Sequence, residues 1–230
     1  MMNVAEIGQG KPLVFIHGWS NNWVGWTLLA EKLAPRYKLY LMDLPGFGDS
    51  DPLPKYTVEK EADYVAGFIQ KYDIQPLALV GASMGSIIAA KTLQKYPALC
   101  QKLILLGAIF KDLSVKNAAD LGAKFLQLSE KSSYSEEFIA EIVKSRVTAY
   151  FVEMFLNAYL FNKELVDKYN LPGRQKVTGK AYVELGISAS DFVLEDYLKS
   201  CKIDAQLIYG EADIYMRPTH TRNIVKQLNN

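Results

Sequence analysis

With 230 residues, half of them hydrophobic and 22% charged, the chain is long enough for one large domain, or for one domain carrying an insertion. A formal net charge of +1 provides no electrostatic attraction for nucleic acid or for an anionic membrane surface. Folding at this length buries ~70–75% of the extended chain's surface, so the core needs no disulfide or metal as support.

Cys100 and Cys201 are isolated and show no C-x-x-C spacing, which reads as reduced thiols in a cytoplasmic protein. The N-terminus "MMNVAEIGQGKP" has neither a basic start followed by an apolar stretch nor a cleavage site. No apolar run approaches the ~18 residues of a membrane span.

Taken in chain order, "LVFIH" (13–17) reads as a buried strand that stops at Gly18, and "WTLLAEKLAPR" (26–36) as a helix ended by Pro35. "YKLYLMDL" (37–44) is the next strand, stopped by the turn cluster "PGFGDSDPLP". In residues 57–72, Val58, Ala62, Val65, Ala66 and Ile69 share one helical face, with Thr57 placed to cap it. Strand "LALVG" (77–81), a helix over 84–96 and strand "KLILLG" (102–107) follow. Strands apolar throughout and separated by helices predict a mostly parallel sheet covered by helices on both faces.

After Gly107 the texture changes. Residues 111–200 contain no convincing strand, and helical patterning dominates, notably in 135–161 with Ile139, Val143, Val147 and Phe151 at helical spacing. The aromatics of this stretch, Tyr150, Phe151, Phe155, Tyr159 and Phe161, read as packing against one another. A strand returns at "AQLIYG" (205–210), followed by one helix. The expected organisation is therefore a core of residues 1–110 and 201–230, with 111–200 inserted as a helical lid over the strand ends.

Chemistry is concentrated at "GASMG" (81–85), a G-x-S-x-G motif between an apolar strand and an alanine-rich helix. So sharp a turn forces Ser83 into a strained backbone conformation. Its glycines let strand and helix approach without Cβ clashes. The strain lifts the Ser83 hydroxyl above the sheet edge, where the helix N-terminus offers free N–H groups and partial positive charge. Ala89 and Ala90 let that helix lie close to the sheet. The bland alternative is a glycine-rich turn whose serine merely caps the helix.

Beside "GASMG" stand "HGW" (17–19), "DLPGFGDS" (43–50) and "YGEAD" (209–213), each at a strand end. Together they resemble the α/β-hydrolase superfamily over residues 1 to about 110 and 203 to 228. "HGW", "DLPGFG" and the short N-terminus are similar to small-acyl esterases, including pimeloyl-ACP methyl ester esterases.

The resemblance implies an α/β-hydrolase fold and an oxyanion hole built from the backbone N–H groups of Met84 and Trp19. It makes His17 a structural histidine, puts His17 and Gly18 together at the substrate pocket, and makes Asp43 a turn residue. It puts the orienting acid at Asp213, in Gly210-Glu211-Ala212-Asp213, with Asp112 as a second location and Glu211 as a solvated charge. A serine at position 83 argues against dehalogenase or epoxide hydrolase chemistry, which in relatives of this fold uses Asp there.

The family's order is serine, acid, histidine, with the histidine on a loop after one further strand. Here a single helix follows Asp213, and the second of the chain's two histidines, His220, lies in its first turn. Three readings compete: a fragment or shortened form of an active enzyme, His220 as a substitute base, or a non-catalytic relative that binds a ligand. His220 also reads as a solvent-facing residue of "RPTHTRN". The leading expectation is a serine hydrolase acting on a small-molecule ester or thioester, with no metal and no other cofactor implied. Oligomeric state is not legible.

Overall fold

The structure, a computed structural model, describes residues 1–108, 110, 136–156, 161–200 and 203–210. Six strands form one sheet: β1 (Val4–Ile7), β2 (Lys11–Ile16), β3 (Tyr37–Met42), β4 (Ala78–Ala82), β5 (Lys102–Leu106) and β6 (Asp204–Ile208). Their order across the sheet is β1-β3-β2-β4-β5-β6. Only β1 runs antiparallel, against β3. The other neighbours are parallel, as continuous apolar runs require when both faces are buried.

The pleat divides the core. Leu13 and Phe15 of β2, with Ala78 and Val80 of β4, pack on one face against Trp26 and Ala30, the latter in α1 (Thr27–Leu33). Val14, Ile16 and Leu79 point the other way, into the cluster that holds α2 (Val58–Lys71) and α3 (Met84–Lys95). The predicted apolar stripe of α2 is buried, and Thr57 Oγ1 accepts from the Lys60 amide as its cap.

Chain order and strand order part company between β2 and β4. After β2 the chain adds β3 on one side, then crosses back to lay β4 on the other. The segment after β2 reaches α1 on one face, and β4 runs directly into α3 on the opposite face. In open α/β sheets a ligand crevice forms where neighbouring strands send their chains apart in this way, here at the carboxyl ends of β2 and β4.

Between β5 and β6 the described residues are helical apart from short connections: α4 (Glu136–Lys144), α5 (Arg146–Leu156), α6 (Lys163–Leu165), a π-helical turn (Val166–Asn170), α7 (Leu171–Gln175), α8 (Gly179–Ser190) and α9 (Leu194–Ser200). The single helical stripe expected across 135–161 is interrupted at Ser145. Ile139 and Val143 are buried, whereas Val147 and Phe151, beyond the break, are 77% and 68% exposed. Tyr150 and Phe161 do pack together, edge to face at 5.9 Å. No described helix is long and apolar enough to cross a membrane.

Candidate active site

Ser83 stands between β4 and α3 with φ +50° and ψ −117°, a region that side chains other than glycine rarely occupy. Neighbouring backbone makes the turn this tight. A Cβ on Gly81 would lie 2.4 Å from the Gly85 carbonyl oxygen, and one on Gly85 would lie 2.3 Å from the Ile16 oxygen and 2.5 Å from that of His17. The Ser83 amide donates to the Leu106 carbonyl at 2.9 Å, and buried Ser86 ties its hydroxyl to the Gly81 carbonyl at 2.9 Å.

The Ser83 side chain makes no capping bond to α3, and its hydroxyl has no hydrogen-bond partner among the described residues. Capping therefore does not account for the serine. The Met84 amide is the first of the helix's unsatisfied donors. Neither it nor the Trp19 amide has an acceptor among the described residues.

The "HGW" loop lies against this turn. A Cβ on Gly18 would sit at van der Waals distance from the Ser83 Cβ (3.5 Å) and tightly against the Ala82 carbonyl oxygen (3.3 Å), so the two loops are in contact. His17 holds the loop from behind. The Leu44 amide donates to His17 Nε2 at 3.1 Å, which requires a lone pair there and places the proton on Nδ1. That Nδ1–H donates to the Gly18 carbonyl at 2.8 Å. The ring is buried edge-on to Phe47, and burial holds its pKa below the usual value. With both nitrogens engaged, this imidazole is not free to accept a proton from Ser83.

Asp43 fastens the second loop. Its buried carboxylate accepts from the Trp23 amide (2.8 Å), the Asn3 side chain (2.8 Å) and the Asp49 amide (2.9 Å). Gly48 is obligatory there, since an added Cβ would fall 2.1 Å from Asp43 Oδ2.

The helical segment supplies residues that sequence patterning did not single out. Trp19 stacks on Tyr182 of α8 (centroids 4.1 Å apart, planes 13° apart), and its indole N–H donates to the Tyr182 carbonyl at 3.0 Å. Gly173 presses its backbone on the next turn of the same loop, an added Cβ lying 2.7 Å from the Asn22 nitrogen. The adjacent Arg174 is only 4% exposed. Long-range packing buries it, and no local sequence signal carries that.

Asp213, His220, Asp112 and Glu211 lie outside the described residues, as does the helix expected after Asp213. Among the described residues His17 is the sole imidazole, and no cluster of His, Cys, Asp and Glu is placed to hold a metal ion. A groove of about 600 Å3 lined by Lys91, Asp191 and Asp196 opens between α2, α3, α8 and α9, on a different part of the surface from Ser83.

A parallel α/β sheet with a strained serine between its central strand and the following helix defines the architectural class of the α/β hydrolases. A family profile described as alpha/beta hydrolase fold matches residues 11–230, and the chain belongs to this family. A pimeloyl-acyl-carrier-protein methyl ester esterase from Wigglesworthia glossinidia brevipalpis is 28% identical over 97% of this chain and 83% of its own length. The Chromobacterium violaceum protein of the same name is 35% identical, but over only 44% of this chain and 39% of its own length. Among solved structures, an esterase from Exiguobacterium antarcticum superposes with a TM-score of 0.77 at 22% identity, covering 98% of this chain and 82% of its own. A thermophilic esterase from Thermogutta terrifontis gives 0.73 at 20% identity, covering 98% of this chain and 80% of its own. At such identities the structural likeness speaks for the fold alone.

Proposed function

We propose that the protein is a serine hydrolase that cleaves a small carboxylic ester or thioester through an acyl-enzyme on Ser83. One observation carries the reading: a strained serine whose hydroxyl caps nothing, with the Met84 and Trp19 amides lacking acceptors among the described residues. Ser83 Oγ would attack the carbonyl carbon, and the Met84 and Trp19 amides would receive the negative charge that develops on its oxygen. His17 holds the Trp19 loop in place and takes no proton. Asp213 and His220 are the chain's candidates for the orienting acid and the base. The named activity of the relatives favours a methyl ester of an acyl chain as the substrate.

A second reading, a binding protein without turnover, is favoured by the engagement of both nitrogens of His17, the sole imidazole among the described residues. A fluorophosphonate probe separates the two. Labelling of the wild type and its loss in Ser83→Ala supports an activated nucleophile, and folded wild type that takes no label supports the binding reading. His220→Ala should lower ester turnover by 10²-fold or more if His220 is the base. Undiminished turnover removes it from that role.

A further inference from the structure

Among the described residues, Arg174 is buried without the partners a buried cation needs, its Nε being enclosed and unbonded. Its Nε–H has no hydrogen-bond acceptor, and no carboxylate pairs with its guanidinium among the described residues. Burial pushes its pKa down, and the charges that oppose this come from Tyr182 and Glu153. Glu153 is already engaged, its Oε1 accepting from Asn170 at 2.9 Å. A guanidinium removed from water and left unpaired is costly, a cost that an anion meeting it for part of the working cycle would offset.

Its position says which part of that cycle. Gly173 packs on Asn21 and Asn22, in the loop that carries Trp19. Arg174 and the Tyr182 phenol act on one another electrostatically, and Tyr182 is stacked on Trp19. The guanidinium therefore belongs to the wall formed by the helical segment and the loop that carries Trp19. A planar fork of N–H donors fits a carboxylate in two parallel bonds. A single guanidinium balances a monoanion, whereas a phosphate dianion would leave excess negative charge beside Glu153.

We infer that Arg174 binds a carboxylate carried by the substrate, so that the favoured esters are half-esters of dicarboxylic acids. This rests on the hydrolase reading for its catalytic consequence, but binding of the anion can be measured without it. The kinetic experiment compares monomethyl succinate through monomethyl pimelate with the matching methyl alkanoates, for the wild type, Arg174→Met and Arg174→Lys. In Arg174→Met, kcat/KM for the best half-ester should fall at least ten-fold further than kcat/KM for its neutral counterpart. Arg174→Lys, which keeps the charge and loses the fork, should fall in between. A half-ester to neutral-ester ratio that stays within about two-fold of wild type overturns the inference.

The binding experiment follows the melting midpoint of Ser83→Ala with glutarate, pimelate or inorganic phosphate. A dicarboxylate should raise it, and the rise should vanish when Arg174→Met is added, provided near-UV circular dichroism shows the double variant folded. A rise that persists, or one given by phosphate alone, overturns the inference. A shift dependent on Arg174 in a protein that takes no fluorophosphonate label would uphold the anion site and sink the hydrolase reading.

Discussion

Glu61 lies on the buried face of α2, one residue before Ala62 in the stripe that fastens the helix to the sheet. The side chain is fully buried, and neither carboxylate oxygen has a partner among the described residues. Burial pushes its pKa well above the usual 4.5, so the folded protein keeps the proton. The unfolded chain releases it above about pH 4.5. A raised folded-state pKa gives stability that is whole below the unfolded value and lost as pH climbs toward the folded one. Glu61→Gln should flatten that decline in urea denaturation across the pH series. Glu61→Leu should raise stability at neutral pH by about 1–3 kcal/mol, the cost of a buried polar group left unsatisfied. If the decline persists in Glu61→Gln, it originates elsewhere.

At the scale of elements, the joint between β2, β4 and α3 is set by backbone touching backbone. Gly85 leaves no room for a methyl group against the Ile16 and His17 carbonyls, and neither oxygen sits on a flexible side chain that could yield. Gly85→Ala should cost about 3 kcal/mol or more and abolish fluorophosphonate labelling even where the protein stays folded, because α3 and the Met84 amide must move away from Trp19. Gly67, in mid-α2 with open space around it, is the control. Gly67→Ala should stabilise by about 0.4–1 kcal/mol.

These joints mark what could be read in advance. Strands β2 to β5 were legible to within a residue or two, since fully buried parallel strands are apolar runs. The motif at Ser83 was legible because its glycines answer a local steric demand. β1 was not: Val4–Ile7 is a short edge strand, only partly buried, and nothing in its composition sets it apart from a loop. Residues Val147 and Phe151 keep helical spacing in number, yet beyond the break at Ser145 they are exposed. Arg174 is buried next to a glycine that meets Asn21 and Asn22, about 150 positions away, a contact no local pattern announces.

At the scale of the whole molecule, the helical segment and the sheet share one core. Ala181, Val183 and Leu185 of α8 belong to the same apolar cluster as Val14, Ile16 and Leu79 of the strands. Polar ties cross the same seam: the Tyr56 amide donates to Glu184 (2.7 Å), the Val58 amide to Ser188 (3.0 Å), and the Thr178 amide to the Gly46 carbonyl (2.9 Å). A segment joined to the core in this way should not melt before it. Tryptophan fluorescence, in which Trp19 reports its stacking on Tyr182, and far-UV circular dichroism should therefore give one coincident urea transition. Glu184→Ala leaves the Tyr56 amide without its acceptor and should lower stability by about 1–3 kcal/mol, moving both transitions together. A fluorescence midpoint that falls below the circular dichroism midpoint would mean that the segment detaches alone. The wall holding Trp19 and Arg174 would then be a separate cooperative unit laid over a finished fold.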